Sequence, residues 1–157
     1  MQTTRDNQEA VTGAELIILA VKPWLIKPVV SELKLKSKQI LISVAAGIPF
    51  EELAHYVADK EMTMFRLIPN TAICEMESMT LIASRNASKE QEQLLLDIFN
   101  QMGLAMLIPE DKIAATTAMT SCGIAYVLKY IQAAMQAGIE LLSLIHISEP
   151  TRPISIS

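Results

Sequence analysis

The order of apolar and polar positions predicts short buried strands that alternate with helices. Residues 15–21 read Glu-Leu-Ile-Ile-Leu-Ala-Val, residues 40–45 read Ile-Leu-Ile-Ser-Val-Ala, and a third apolar run covers 64–68. Short continuous runs of this kind are typical of strands buried on both faces, as in a parallel sheet. Further strands are predicted at 79–83 and 104–108.

Helices are predicted between these strands. A helix over about 26–34 would have Pro28 in its first turn, where a missing N–H does little harm. A short helix is predicted over 50–57. Ser88 begins another, because Gln91 follows three residues later in the capping-box pattern. Gly103 is expected to end that helix.

Residues from about 112 to 141 differ from the rest, because they are rich in Ala and Met and have few polar positions on any face. One long helix, or two helices broken near Gly123, would fit this stretch. Helices that are apolar all round are buried, which predicts a second domain or a subunit interface. The chain as a whole is predicted to be an α/β protein with a mostly parallel sheet, followed by helix.

Composition narrows the class of protein. The chain has 157 residues, 51% of them hydrophobic and 19% charged, which argues against disorder and allows a substantial core. A net charge of −4 argues against a nucleic-acid partner. Two cysteines are too few for a disulfide scaffold and favour a reducing, cytoplasmic setting. The order of residues along the chain predicts no export signal, no membrane span and no metal site.

A candidate site is predicted at one edge of the sheet. Ligands of open α/β sheets bind beyond the carboxyl ends of the strands. Three segments follow the predicted strands there: Lys22 and Pro23; Ala45, Ala46 and Gly47; and Pro69, Asn70 and Thr71. They consist largely of small residues, prolines and hydrogen-bonding side chains. Their convergence predicts a site without naming its ligand.

The same segments carry a resemblance to a known family. The blocks are Asp6-Asn7, Leu-Ala-Val-Lys-Pro at 19–23, Ser-Val-Ala-Ala-Gly-Ile at 43–48, Arg-Leu-Ile-Pro-Asn-Thr at 66–71 and Thr-Ser-Cys-Gly-Ile-Ala-Tyr at 120–126. In order and spacing, over about 3–141, they resemble pyrroline-5-carboxylate reductases. The resemblance implies that 1–109 is the C-terminal part of a dinucleotide-binding Rossmann-type domain. Residues 110–141 would begin a helical dimerisation and substrate domain.

The resemblance also implies an activity: reduction of 1-pyrroline-5-carboxylate to L-proline by hydride transfer from NADPH or NADH to the imine carbon, in a homo-oligomer. The implied cofactor-binding residues are Asn7, Ala20, Val21, Lys22, Pro23, Ala45, Ala46, Gly47 and Asn70. The implied substrate-side residues are Glu110, Thr120, Cys122 and Gly123. No catalytic residue is assigned with certainty. A carboxylate at Glu110 near the imine nitrogen would favour its protonated form.

Other interpretations of these residues stay open. Asn7 could be a helix N-cap, Asn70 an ordinary turn residue, and Glu110 a first-turn acid that stabilises a helix N-terminus. Cys122 stands where the family pattern has serine and Ser121 where it has glycine, which predicts a slightly altered pocket. A different dehydrogenase of small imines or keto acids is the alternative enzyme.

Two further predictions concern the ends of the chain. None of the five glycines forms the Gly-x-Gly-x-x-Gly turn that binds pyrophosphate. We therefore expect that turn to lie upstream in a longer parent protein, and this chain itself to be inactive or weakly active. Residues 142–157 resemble a translated sequencing adapter and are expected to be a non-native tail; a short natural tail is the alternative.

Overall fold

The structure, a computed structural model, describes residues 3–148, and of residues 143–148 it describes the backbone only. The chain divides into two compact units, Met1–Ser121 and Cys122–Ser157. The predicted domain boundary after residue 109 stays a prediction. Of the predicted non-native tail, residues 149–157 lie outside the described residues.

Five strands of the first unit form one sheet. They are β1 Leu16–Leu19, β2 Ile40–Ser43, β3 Thr63–Ile68, β4 Ser78–Arg85 and β5 Gly103–Leu107, neighbours in that order. β1, β2 and β3 are parallel, β4 is antiparallel to β3, and β5 is parallel to β4. The predicted mostly parallel α/β sheet is confirmed. Every residue of β2 and β3 is buried, which explains their continuous apolar runs.

Five helices accompany the sheet in the first unit: α1 Asn7–Val11, α2 Pro23–Glu32, α3 Phe50–Tyr56, α4 Lys89–Phe99 and α5 Ile113–Thr117. The prediction for α2 was wrong in its start, because Pro23 and not a residue near 26 begins the helix. Proline suits a first helical position, where its N–H would have no partner. Pro28 consequently lies inside the helix instead of in its first turn.

The two faces of the sheet bury separate apolar clusters. One cluster joins α1, α2 and α3 to alternate sheet residues such as Leu41 and Met64, and it also contains Ile113 of α5. The other joins Phe65 and Leu67 to α4. Because side chains of a strand alternate between faces, β3 contributes to both clusters. Arg66 belongs to the first face, beside Met64 and Ile68.

The cap of α4 is the local feature that the sequence indicates best. The Ser88 side chain accepts from the Gln91 N–H, and the Gln91 side chain accepts from the Ser88 N–H, so the predicted capping box is present. Glu92 of the same helix accepts hydrogen bonds from Ser84 Oγ at 2.6 Å and from Lys89 Nζ at 2.9 Å. These two bonds, with Ser84 the larger cause, hold the pKa of Glu92 below its usual value.

Gly103 begins β5 rather than ending α4. α4 ends at Phe99 and a 3-10 turn, Asn100–Met102, precedes the glycine. Gly103 has φ +128°, and a Cβ there would lie 2.2 Å from the Ser78 carbonyl oxygen. The position therefore requires glycine both for its backbone conformation and for the close approach of β4.

A π-helical turn, Ala118–Cys122, follows α5, and the second unit contains α6, Gly123–Ser148. Helical turns follow one another without a non-helical residue from Ile113 to Ser148, so the structure does not confirm two separate helices, and the π-helical turn is the irregularity near Gly123. Large apolar side chains of α6, including Tyr126, Tyr130 and Met135, are exposed. The backbone is helical through Ser148, and the non-native tail expected at 142–157 stays a prediction. None of the described helices combines the length and apolar character needed to cross a membrane.

Candidate functional site

The three parallel strands end at the same edge of the sheet, where β3 extends two residues beyond β1 and β2. Leu19 pairs with Ser43, and Ser43 pairs with Arg66, so the segments after β1, β2 and β3 leave the sheet at the same edge. Neighbouring strands are about 4.8 Å apart, so this edge is about 10 Å wide across the three strands. The structure thus brings the predicted segments 20–23 and 45–47 together with Asn70.

The segment after β1 presents a cation at a helix start. Ala20 and Lys22 are exposed, Val21 and Pro23 are half-buried, and Lys22 directly precedes the ten-residue helix α2. The partial positive charge of a helix N-terminus and the ammonium of Lys22 both favour an anion at this place. Trp24, exposed by 73%, lies beside it. The sequence reasoning gave this tryptophan no role.

The segment after β2, which we call the 45–47 turn, is made of small residues held at its first end. The Ala45 N–H donates to Ser43 Oγ at 3.3 Å, and the Val44 N–H donates to the Leu19 carbonyl at 3.2 Å. Ala45 is buried, whereas Ala46 and Gly47 are exposed. Gly47 has φ +82°, and among the described residues other than its two chain neighbours no atom lies within 4 Å of the place a Cβ would take. A planar ligand could approach this backbone without meeting a side chain.

Asn70 uses both ends of its side-chain amide. Its Oδ1 accepts from the Ala72 N–H at 3.1 Å, which caps the 3-10 turn Thr71–Glu75. Its Nδ2 donates to the Thr120 carbonyl oxygen at 3.0 Å. We call these contacts the Asn70 junction. The interpretation of Asn70 as a turn residue is supported by this geometry, and its cofactor role stays a prediction.

Glu110 lies at the centre of a second set of contacts, which we call the Glu110 junction. Its Oε1 is 2.6 Å from Arg66 Nη1 and accepts from the Phe50 N–H at 2.7 Å. The Arg66 guanidinium carbon also lies 6.0 Å from the centre of the Phe50 ring. The Arg66 side chain is only 8% exposed, whereas that of Glu110 is 34% exposed. A buried cation and the first residue of α3 therefore share one carboxylate oxygen.

The contacts of Arg66 were not predicted from the sequence. Its signal was present: a charged residue inside the apolar strand Thr-Met-Phe-Arg-Leu-Ile requires a counter-ion if the strand is buried. Its partners could not be identified, because Glu110 is 44 residues away along the chain. Among the described residues, Arg66 Nε has no hydrogen-bond partner.

The remaining substrate-side residues lie in and after the π-helical turn. Thr120 belongs to the first unit, where its carbonyl contacts Asn70, while Cys122 and Gly123 belong to the second unit. The buried hydroxyl of Ser121 has no hydrogen-bond partner in the described part of the chain. The substrate roles of Thr120, Cys122, Gly123 and Glu110 stay predictions.

Asn7 lies on the outer side of β1. Asp6, not Asn7, caps α1, because Asp6 Oδ1 accepts from the Gln8 and Glu9 N–H groups. Asn7, Ala20 and Val21 line an open cavity of about 260 Å³ beside β1. Three of the predicted cofactor-binding residues are therefore close together. Within residues 3–148, no cluster of His, Cys, Asp or Glu is arranged to hold a metal ion.

Comparisons with known proteins agree with this fold. Residues 1–47 match the family model described as NADP oxidoreductase coenzyme F420-dependent. Pyrroline-5-carboxylate reductase 1 of Dictyostelium discoideum is 30% identical over 88% of this chain and 27% of its own length. The pyrroline-5-carboxylate reductase of Methanosarcina acetivorans is 32% identical over 85% of this chain and 50% of its own length.

A solved structure of a pyrroline carboxylate reductase has a fold similar to that of this chain. The Plasmodium falciparum pyrroline carboxylate reductase, solved with NADP bound, matches with a TM-score of 0.81 and 29% identity. The match covers 87% of this chain and 53% of that one. The chain thus spans about half or less of the length of these three relatives. The predicted resemblance is confirmed.

Proposed function

We propose that this chain is part of a pyrroline-5-carboxylate reductase, the oxidoreductase family to which it is similar, and that the whole protein reduces 1-pyrroline-5-carboxylate to L-proline. The nicotinamide cofactor, NADPH or NADH, supplies the hydride when bound. The reduction forms a C–H bond at the imine carbon and breaks the C=N π bond, and the protonated imine nitrogen becomes the amine of proline.

One observation carries the proposal. The segments 20–23 and 45–47, together with Asn70, leave three adjacent parallel strands at the same edge of the sheet. This is where open α/β sheets bind dinucleotides. The exposed backbone of Gly47 leaves room for a flat ring, and Lys22 offers a cation to phosphate or ribose oxygens. These residues fit a nicotinamide dinucleotide.

The substrate side of the proposal rests on Glu110, Thr120, Cys122 and Gly123. A carboxylate favours the protonated, more electrophilic form of a nearby imine, so direct contact of Glu110 with the imine is one of two alternative roles for this residue. The exposed apolar side chains of α6 support a homo-oligomer, a dimer or larger. Two free cysteines support a reducing, cytoplasmic setting.

The test measures loss of nicotinamide absorbance with 1-pyrroline-5-carboxylate, for the 157-residue chain and for the longest protein encoded by the same reading frame. We expect turnover by the longer protein and little or none by the 157-residue chain. Turnover of keto acids or other imines in preference to pyrroline-5-carboxylate would reject the proposed substrate.

A matched pair of lysine variants tests the cofactor edge. We expect Lys22→Gln to raise the KM for the cofactor about tenfold while the KM for the imine stays unchanged. Lys27→Gln is the control, because Lys27 is also exposed on α2 but lies about one turn further along the helix. Equal effects of the two substitutions would show that Lys22 contributes only general charge.

A further inference from the structure

The far end of the 45–47 turn is held by a residue from a distant part of the chain. The turn leads through Ile48 into α3, whose N-cap is Pro49, and Pro49 makes no side-chain capping bond. The first N–H groups of a helix have no partner within the helix and need one from elsewhere. The Phe50 N–H finds it in Glu110 Oε1, at 2.7 Å.

Glu110 is in turn fixed by the sheet. Its carboxylate oxygen lies 2.6 Å from Arg66 of β3, and Arg66 is buried with its guanidinium 6.0 Å from the Phe50 ring centre. Phe50 is therefore held twice, by its N–H through Glu110 and by its ring near Arg66. Ser43, which holds the first end of the turn, is the register partner of Arg66 on β2.

We propose that Glu110 is a positioning residue for the cofactor side of the site: its carboxylate fixes the start of α3 and thereby the far end of the 45–47 turn. This inference rests on the proposed function, because it assigns the turn to the cofactor. The carboxylate acts through Phe50 and Arg66. It is placed by contacts among β3, α3 and the segment after β5, all within the first unit.

Positioning and substrate contact make opposite kinetic predictions. With the positioning role, Glu110→Ala in the longer protein that shows turnover raises the KM for the cofactor about tenfold and leaves the KM for the imine within about twofold. Amide hydrogen exchange in a peptide covering 47–53 also becomes faster, because the Phe50 N–H loses its acceptor. With direct substrate contact, the KM for the imine rises instead, and that result would overturn the proposal.

A double variant separates the anchoring bond from the charge. Glu110→Gln combined with Arg66→Met retains an oxygen that can accept from the Phe50 N–H and leaves no unpaired buried charge. We expect this double variant to keep the cofactor KM within about threefold of the unmodified protein, and to restore slow exchange in 47–53. Fast exchange and a high cofactor KM in a folded double variant would overturn the proposal.

Asp111→Ala is the matched control, because Asp111 is the next residue, is exposed, and pairs only with the exposed Lys112 among the described residues. It should change neither KM nor exchange. Hydrogen exchange needs no turnover, so it tests the anchor even if pyrroline-5-carboxylate proves not to be a substrate. Unchanged exchange in Glu110→Ala would refute the positioning role whatever the activity.

Discussion

The Glu110 junction holds the segment after β5 to β3 and α3, and the Asn70 junction holds the same segment to the residues just after β3, with different chemistry. The first uses a charged pair with a nearly buried arginine, and the second uses a neutral amide whose oxygen and nitrogen both have partners. Removing one partner of a buried ion pair leaves an uncompensated charge, whereas removing an amide leaves at most a few unpaired neutral groups. Two contacts with similar distances therefore contribute very differently to stability.

The largest effect is expected at the charged junction. Glu110→Ala should lower the free energy of unfolding by about 3 kcal/mol, the lower end of the range for a broken buried pair, because the carboxylate is partly exposed. Urea unfolding measures this loss. Asp111→Ala should stay within about 0.5 kcal/mol. Equal losses for both variants would remove the distinction between the junctions.

The neutral junction should be weaker. Asn70→Ala removes the cap on Ala72 and the bond to the Thr120 carbonyl, and should cost about 1–2 kcal/mol. The serine of Asn70→Ser keeps a capping oxygen but is too short to reach the Thr120 carbonyl. Its loss of unfolding free energy should therefore be about half that of Asn70→Ala. A loss for Asn70→Ala as large as for Glu110→Ala would contradict the comparison.

Glu92, on the other face of the sheet, provides a carboxylate for comparison. Its cationic partner, Lys89, is 92% exposed, whereas Arg66, the partner of Glu110, is nearly buried. The pKa of Glu92 is held low, chiefly by the Ser84 hydroxyl and then by Lys89. Its contribution to stability is therefore present above the ordinary glutamate pKa and is lost as pH falls through the lowered value. Glu92→Gln should cost about 1 kcal/mol at neutral pH. The difference should vanish in acid, as a pH series of urea unfolding would show.

The smallest effect is expected at Ser121. Its buried hydroxyl has no partner among the described residues, so Ser121→Ala should change stability by less than about 0.5 kcal/mol, in the stabilising direction. Thr117→Ala serves as the contrast, because Thr117 Oγ1 donates to the Ile113 carbonyl at 2.6 Å. A clear loss of stability on removing the Ser121 hydroxyl would mean that it has a partner of its own.

Local signals in the sequence predicted local structure well. The capping box of Ser88 and Gln91 and the buried strands β2 and β3 depend on neighbours a few residues apart, so their patterns are complete in the sequence. The start of α2 was misplaced because two prolines, Pro23 and Pro28, both fit a first helical turn. Only packing decides between such candidates.

The contacts of the site residues could not be predicted in the same way. Glu110 meets Phe50 at a separation of 60 residues, and Asn70 meets Thr120 at a separation of 50. No periodic pattern records a bond of that range. The edge of the sheet was predictable, because strand order and parallel direction place the segments after β1, β2 and β3 together. The side-chain pairing on that edge depends on tertiary structure.

The two junctions also constrain the number of residues between Glu110 and Thr120. From Arg66 to Asn70 an extended chain advances about 13 Å, and the ten residues from Glu110 to Thr120, which form a 3-10 turn, α5 and part of a π-helical turn, would advance about 15 Å at the α-helical rise. The two lengths nearly agree, so both ends of the segment can be fastened at once. Inserting one residue into α5 would shift Thr120 by about 1.5 Å along the helix and turn its carbonyl by about 100°. The two junctions could then not both keep their present distances without adjustment of the turns between them, so the number of residues in this segment matters as well as their identity.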